Sequence, residues 1–200
     1  MFSSLLNNVE EVLGRKILIL GEMGSGKTRL TAEILDRLLE KTVTKDITVI
    51  DMSPTTVPGV GGRVSSYTSN VFKVKYLAPE VVRAPRIEGR NKDEVLTLAE
   101  FNRRAIEPLL QEFIMKPTSI LFINDLSIYL HAGDVSKVIK CLELSNTVVA
   151  NSYYSEFPIE DKNSGISERE RKMLELLTVK FDSVLRISKQ LSYYNIIQHE

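Results

Sequence analysis

Continuous apolar runs alternate along the chain with segments whose apolar residues recur at helical spacing. Runs such as 16–20 (KILIL) are typical of strands buried on both faces, whereas spacings of three and four residues are typical of helices that bury one face. This alternation predicts an α/β fold: a mostly parallel sheet of about six strands with helices on both faces. The predicted strands are 16–20, 47–50, 71–77, 120–123, 147–150 and 184–187, and the predicted helices are 2–13, 27–41, 93–115, 135–142 and a segment near 167–177.

Polar and turn residues indicate where several of these elements begin or change direction. Asp93 and Asp134 are predicted N-caps, because a carboxylate can accept hydrogen bonds from the free N–H groups of a first turn. Ser167 and Glu170 form a capping-box pattern ahead of the last helix. Pro108 predicts a kink or a break in the long helix, because proline lacks an N–H group.

One stretch of the chain has no periodicity. Residues 53–70 are rich in Pro, Gly, Ser and Thr, which predicts a long loop, either an active-site lid or a segment without fixed structure. The tail from residue 189 either pairs as an edge strand or lies on the surface. We therefore expect a single domain over 1–200, with a long flexible or basic insertion around 52–92.

Composition restricts the functional classes. Lys plus Arg and Asp plus Glu both number 26, and this zero net charge argues against a nucleic-acid coat and an acidic disordered tail. The single cysteine, Cys141, rules out an intrachain disulfide and is expected as a buried filler. His131 and His199 are too isolated to form a metal site or a proton relay. The start of the chain lacks the features of a signal peptide and no stretch approaches the ~18 apolar residues of a membrane span, so we expect a cytoplasmic protein without membrane contact.

A glycine-rich segment lies between the first strand and the next helix. It consists of Gly21, Glu22, Met23, Gly24, Ser25, Gly26, Lys27 and Thr28, and it resembles the Walker A motif of the P-loop NTPase superfamily. Glycines let successive N–H groups form a nest around a β-phosphate, and the helix N-terminus also favours an anion. Lys27 is expected to bridge the β- and γ-phosphates of ATP, and the Thr28 hydroxyl to ligate Mg²⁺.

The strand at 120–123 ends in Asn124 and Asp125 and resembles the Walker B segment of the same superfamily. By that resemblance, Asp125 would hold Mg²⁺ through its water shell. Many P-loop ATPases carry a glutamate beside this aspartate. Here the neighbours are Asn124 and Leu126, which argues against fast intrinsic hydrolysis.

Two further strands are followed by polar residues. Asp51 is a candidate catalytic or Mg²⁺-linked acid, and Asn151 resembles the sensor residue that lies beside the γ-phosphate in P-loop ATPases; turn formation explains either residue equally well. No Asn-Lys-x-Asp guanine motif follows the late strand, which favours ATP over GTP. Tyr153, Tyr154 and Phe157 are expected to pack beneath a loop rather than to stack on a base.

The middle of the chain is basic. Residues 52–92 contain seven Lys or Arg residues and two Glu residues, a local charge of +5 that the rest of the chain balances. Arg83, Arg86 and Arg90 are candidates for phosphate or carboxylate recognition, and Arg86 is the one assigned to the nucleotide. The alternatives are an arginine finger, a phosphorylated-substrate site, a nucleic-acid contact, or a solvated loop paired with acids.

These features predict a Mg²⁺-dependent, ATP-binding P-loop protein that hydrolyses ATP, on the RecA-like side of the superfamily. The candidate catalytic residues are Lys27, Asp125, Asp51 and Asn151. A homo-oligomer and a protein or nucleic-acid partner are left open. So are two other functions. One is group transfer, by a small-molecule kinase or by an enzyme similar to the cob(I)alamin adenosyltransferases. Residues 124–134 of this chain resemble the Walker B region of those adenosyltransferases. The other is a nucleotide-gated binding module in which ATP orders residues 53–70.

Overall fold

The strands form a mostly parallel sheet, as predicted. The computed structural model describes residues 9–54, 62–157, 159–188 and 195–197. Within them, seven strands follow the order β3-β2-β4-β5-β1-β6-β7; the first six are parallel to one another, and β7 is antiparallel to β6. The strands are β1 (Lys16–Gly21), β2 (Ile47–Asp51), β3 (Lys75–Leu77), β4 (Ile120–Asn124), β5 (Thr147–Tyr153), β6 (Ser183–Ile187) and β7 (Asn195–Ile197).

Helices cover both faces of this sheet. They are α1 (Lys27–Leu39), α2 (Pro85–Glu88), α3 (Lys92–Met115), α4 (Leu126–Leu130), α5 (Val135–Glu143) and α6 (Ile166–Thr178). Successive strand residues point to opposite faces, so Leu18 and Leu20 pack with α3 to α6 while Ile17 and Ile19 pack with α1. This explains why the central strands are apolar throughout, and it confirms the α/β class.

The structure corrects the prediction of a strand at 71–77. Only Lys75–Leu77 is a strand, and Ser69–Lys73 forms a 3-10 helix capped by the Thr68 side chain, which accepts from Asn70 N. Thr68 Oγ1 also donates to Asp36 Oδ1 of α1 at 2.6 Å. These contacts fix a turn, because they satisfy N–H and hydroxyl groups that a strand would leave to a neighbour.

Two other predicted elements differ from the structure, and each of them extends into residues that the structure does not describe. The predicted loop at 53–70 contains a further 3-10 helix, Val64–Ser66, and residues 55–61 lie outside the described part. The first helix is a 3-10 turn at Val9–Val12, with residues 1–8 also outside. No helix in the described ranges combines the length and apolar character needed to cross a bilayer.

Three predictions, two about helix caps and one about the middle of a helix, have different outcomes. Asp134 does cap α5, by accepting from Ser136 N at 2.9 Å. Asn91, and not Asp93, caps α3, because its Oδ1 accepts from Glu94 N at 3.0 Å. Pro108 lies inside α3 and does not end it, since buried residues on both sides of it, Ile106 and Leu110 among them, hold the helix on the sheet.

The sheet order brings three connections together. Because β5 lies between β1 and β4, the loop after β1, the turn after β4 and the carboxyl end of β5 meet at one edge of the sheet. Ligands of open parallel α/β sheets bind at this carboxyl edge. The sequence candidates Lys27, Asp125 and Asn151 all lie there.

Candidate functional site

The loop from Gly21 to Thr28 leads from β1 directly into α1. Lys27 Nζ donates to the carbonyl oxygens of Gly21 and Glu22, both at 2.8 Å, so the loop curls around its own lysine. Leu30 N donates to Gly26 O at 3.0 Å and closes the first turn of α1. The buried Ser25 Oγ has no hydrogen-bond partner among the described residues. The loop thus places a cation and a helix N-terminus at the same point.

Gly21 and Gly26 of this loop each require glycine, but for different physical reasons. Gly26 has φ 95°, a left-handed conformation that strains any residue with a Cβ atom. Gly21 has no room for one, because its Cβ atom would lie 2.3 Å from Ile187 O. The first requirement comes from the loop itself, whereas the second comes from the neighbouring strand β6.

Asp125 begins α4 immediately after β4. Its backbone is left-handed, with φ 62°, and its N–H donates to Asn151 Oδ1 at 2.9 Å. Desolvation by the surrounding protein raises the pKa of Asp125 to about 6; Lys27 opposes this shift, and the like charges of Glu170 and Asp51 add to it. This carboxyl group is therefore near its titration range at neutral pH, and a bound cation would favour its ionised form.

A chain of side-chain hydrogen bonds crosses the carboxyl ends of the strands. Asn151 Nδ2 donates to Thr31 Oγ1 of α1 at 2.9 Å and to Asn124 Oδ1 of β4 at 2.7 Å. Asn124 Nδ2 in turn donates to Asp51 Oδ1 of β2 at 2.8 Å. Asn124 thus links two of the predicted site residues, a role that the sequence analysis did not foresee.

Asp51 lies at the far end of this chain, and the structure does not bring it to the loop pocket. It is fully buried, and its oxygens accept from Ser53 N, Val64 N, Tyr76 Oη and Asn124 Nδ2. Burial raises the pKa of Asp51, although these four hydrogen bonds act in the opposite direction. Four donors fill the acceptor capacity of one carboxylate. In this state Asp51 fixes the turn at Val64, and its catalytic assignment stays a prediction.

The remaining candidates surround one pocket, which we call the Lys27 pocket. Its volume is about 190 Å³, and its polar wall combines a cation, a hydroxyl, a carboxylate and an amide. The opposite wall is apolar and includes Tyr67, Pro85 and Ile87. The predicted site residues that line the pocket are Met23, Gly24, Gly26, Lys27, Thr28, Arg86, Asp125 and Asn151. Gly21, Glu22 and Ser25 belong to the adjoining loop.

The three candidate arginines have different environments. Arg83 pairs with Glu88 at 2.5 Å, and Arg90 pairs with Glu94 at 2.7 Å. Both of these arginines are exposed. Arg86 instead turns inward, where its side chain is 11% exposed and lines the Lys27 pocket. Of the three, only the position of Arg86 is compatible with a role at the loop.

Arg86 forms a buried ion pair with Glu170 of α6. Its Nε donates to Ser167 Oγ at 3.1 Å, and its guanidinium carbon lies 5.6 Å from the centre of the Tyr153 ring. Burial by itself disfavours the charged form of Glu170, but the pKa of Glu170 lies below its usual value because contact with His131 and with the Arg86 guanidinium outweighs this effect. Glu170 is therefore a buried carboxylate.

This arrangement corrects the predicted capping box. The helix α6 begins after Gly165, which has φ 81° and no side chain to act as a cap. Its first N–H groups donate to side chains of the preceding turn instead, Ile166 N to Ser164 Oγ at 3.5 Å and Ser167 N to Asp161 Oδ2 at 3.0 Å. Ser167 Oγ donates to Ile159 O at 3.2 Å and accepts from Arg86. Ser167 and Glu170 do not cap the helix because both are bonded to the buried guanidinium, whose charge would otherwise be uncompensated.

His131 also belongs to this region, although the sequence shows it as an isolated residue. It is buried, lines the Lys27 pocket and places Nε2 3.5 Å from Glu170 Oε2, longer than an ordinary hydrogen bond. Neither ring nitrogen has a hydrogen-bond partner within the described ranges, and burial lowers the pKa of His131. No spacing in the sequence could have indicated this contact, because α4 and α6 meet only in the folded chain.

The donors at the loop suit a magnesium nucleotide. Thr28 and Asp125 offer a hydroxyl and a carboxylate, and Mg²⁺ is commonly held by one or two such groups together with phosphate oxygens and water. No cluster of three His, Cys, Asp or Glu side chains that could hold a metal occurs within the described residues.

Sequence comparison finds no relative: no protein-family profile and no curated protein matches the chain. Among solved structures, the fold resembles that of the flagellar accessory protein FlaH from Methanocaldococcus jannaschii. The two chains are 13% identical, the likeness covers 87% of this chain and 71% of FlaH, and the TM-score is 0.48. A likeness this remote gives no indication of function. The strand order and the covering helices by themselves show an α/β fold with six parallel strands.

Proposed function

We propose that this protein is a Mg²⁺-dependent, ATP-binding P-loop protein of the RecA-like kind that hydrolyses ATP in the cytoplasm. One observation supports this above all others. The loop at 21–28 curls around Lys27, and Asp125 and Asn151 approach it from the ends of β4 and β5. A cation, a hydroxyl, a carboxylate and a helix N-terminus then converge on one pocket, as phosphate and metal binding requires.

In this proposal each residue has a defined task. Lys27 exchanges the two carbonyl oxygens for the β- and γ-phosphates, and the N–H groups of the loop surround the β-phosphate. Thr28 and Asp125 hold Mg²⁺, which supplies neutralising charge at the phosphate oxygens. Asn151 orients Asp125 through its hydrogen bond to the Asp125 N–H. Arg86, which lines the pocket while paired with Glu170, is the arginine proposed to contact the γ-phosphate.

The proposed hydrolysis is slow without a partner. No acid flanks Asp125 in the sequence, and the oxygens of Asp51 are already occupied by four donors. An activating group is thus expected from a second copy of the chain or from a protein or nucleic-acid partner. This is the physical reason to test turnover both with the purified protein alone and at high protein concentration.

Group transfer is the second candidate, because of the apolar wall of the Lys27 pocket. Tyr67, Pro85, Ile87, Ile128 and Ile159 line the pocket together with the polar loop residues. An apolar lining suits the body of a bound acceptor, and an acceptor that displaces water beside the phosphate favours transfer over hydrolysis. The two functions share the nucleotide site and differ only in the nucleophile.

The nucleotide site is tested by calorimetry with Mg·ATP and Mg·ADP. We expect Lys27→Ala to abolish measurable binding, because it removes the cation that meets the phosphates. Lys45→Ala is the matched control, since Lys45 is an exposed lysine of a 3-10 turn away from the loop, and it should bind as the wild type does. Equal affinity of the Lys27→Ala variant and the wild type would refute the proposal. Phosphate release without an acceptor then distinguishes hydrolysis from transfer.

A further inference from the structure

The beginning of α6 holds the guanidinium group of Arg86. Arg86 Nε donates to Ser167 Oγ at 3.1 Å, and its Nη2 donates to Glu170 Oε2. A guanidinium has five N–H donors, so these two hydrogen bonds leave three donors without a partner among the described residues. Both N–H groups of Nη1 are among the three, and Nη1 is not fully buried. Arg86 therefore keeps open donors although most of its side chain is buried.

Packing around this contact restricts where the guanidinium can lie. Glu170 is buried, and its Oε2 also lies 3.5 Å from Nε2 of His131 at the end of α4. The Tyr153 ring, at the end of β5, has its centre 5.6 Å from the Arg86 guanidinium carbon. Because three elements of the fold contact this one group, little side-chain entropy remains to be lost when a ligand binds to it.

Arg86 supplies directed donors and little net charge, because Glu170 balances its guanidinium. Arg86 and Lys27 line the same pocket of about 190 Å³. An arginine can pair with a carboxylate through one edge of its planar group and still donate to a second oxyanion by charge-assisted hydrogen bonds, whereas a lysine ammonium has no second edge. The open donors of Arg86 thus suit a phosphate group of a ligand in this pocket.

We infer that Ser167 and Glu170 are positioning residues, which fix Arg86 so that its remaining N–H groups donate to the γ-phosphate of a nucleotide in the Lys27 pocket. The start of α6 thereby makes the site prefer ATP over ADP, because ADP lacks the group that Arg86 contacts. The inference rests on the proposed nucleotide function and adds the residues through which α6 acts on it. It requires that Arg86 binds Glu170 and the phosphate at the same time.

Calorimetry with Mg·ADP and with Mg·AMP-PNP, a non-hydrolysable analogue of ATP, measures this preference as a ratio of two affinities. Arg86→Lys keeps a cation beside Glu170 but removes the planar fork, so it should fold and lower the ratio at least ~10-fold, with the ADP affinity changed less than about twofold. Glu170→Leu should lower the ratio by a similar factor. A purely structural effect would lower both affinities together. An unchanged ratio in folded Arg86→Lys, or a raised ratio in Glu170→Leu, overturns the inference.

Milder variants keep the test decisive if Glu170→Leu does not fold with Arg86 left uncompensated. Ser167→Ala removes only the acceptor of Nε and should lower the ratio about threefold or more. Glu170→Gln keeps an acceptor for Nη2 and should retain at least about a third of the wild-type ratio. An unchanged ratio in Ser167→Ala, or a loss in Glu170→Gln as large as in Arg86→Lys, overturns the inference.

The control lies on the same helix. Glu168→Leu should leave the ratio unchanged, because Glu168 is exposed and pairs with Lys172 at 2.8 Å. The wild type separates failure of the inference from failure of the proposed function. A wild type that binds neither nucleotide refutes the proposed function and the inference with it, whereas binding of both, with the same ratio in every variant, refutes the inference alone.

Discussion

Asn151 Nδ2 donates to Asn124 Oδ1 at 2.7 Å and so ties the ends of β5 and β4 together. Through Asn124 the contact extends to Asp51, and through the Asn151 side chain it reaches Thr31 and the Asp125 N–H. Asn124, the residue that precedes Asp125, thus both donates and accepts. An amide can satisfy both of its neighbours here, and a carboxylate cannot.

Removal of this amide should destabilise the protein. Asn124→Ala leaves a buried acceptor on Asp51 and a buried donor on Asn151 without their partner, at a cost of about 2–4 kcal/mol in the free energy of unfolding. Asn124→Asp should cost at least as much, because it places a second negative charge beside Asp51. Urea denaturation measures both. Asn146→Ala is the control, since Asn146 is exposed and makes only a 3.5 Å side-chain contact.

The raised pKa of Asp125 predicts a pH-dependent stability. Its folded-state pKa of about 6 exceeds the unfolded value of 3.8, so the folded protein retains a proton that the unfolded chain loses. The stabilisation that this bound proton gives the folded state is fully present below about pH 4 and is lost as the pH rises through about 6. The free energy of unfolding of Asp125→Asn, measured in EDTA at pH 7.5, should therefore exceed that of the wild type by roughly 3 kcal/mol.

The same comparison has an internal control in pH. Near pH 4.5 the wild-type Asp125 is mostly protonated in the folded state but still mostly ionised in the unfolded chain, so the advantage of Asp125→Asn should fall to about a third of its value at pH 7.5. Asp134→Asn supplies a second control, because hydrogen bonds from Ser136 hold the pKa of Asp134 below its usual value. That variant should gain no stability at pH 7.5. A constant difference between Asp125→Asn and wild type across this pH range would contradict the assignment.

Gly14 and Gly26 both have a left-handed backbone, so alanine variants at the two positions distinguish an effect on stability from an effect on nucleotide binding. Gly14 and Gly26 have φ of 75° and 95°, and a Cβ atom on either meets nothing within 4 Å. Alanine at each should therefore cost a similar strain of about 1–2 kcal/mol. Only Gly26→Ala should also weaken Mg·ATP binding, because it alone alters the nest. Calorimetry and urea denaturation test this, and a matching affinity loss in Gly14→Ala would attribute the effect to general destabilisation.

The buried ion pair predicts strong coupling in a double-mutant cycle. Arg86→Met and Glu170→Leu each leave an uncompensated buried charge, which costs about 3–5 kcal/mol. The double variant should lose far less than the sum of the two, because neither charge is left alone. The matched pair Arg90→Met and Glu94→Leu should be additive, since solvent screens this exposed pair. Additivity at Arg86 and Glu170 would show that the contact does not form.

The candidate site was only partly predictable from the sequence. The loop at 21–28 and the polar strand ends follow from local pattern, because glycine spacing and apolar runs act over a few residues. Ser167 and Glu170 show the limit of this reasoning. Their spacing matches a capping box, yet both bind Arg86, which lies on a different helix and more than eighty residues earlier. A local sequence pattern cannot show whether a side chain caps its own helix or instead binds a buried charged residue that is distant in the sequence.

The sequence by itself determined the class of the fold, the position of the glycine-rich loop and the residue types at the ends of β1, β4 and β5. These depend on periodicity and on backbone freedom, which neighbouring residues decide. Only the tertiary structure decided that Arg86 is buried while Arg83 and Arg90 form exposed ion pairs. It also decided that four donors bind the Asp51 carboxylate and that His131 lies beside Glu170. Those outcomes depend on which charges the packing removes from water, a cost set by the whole fold rather than by any segment of it.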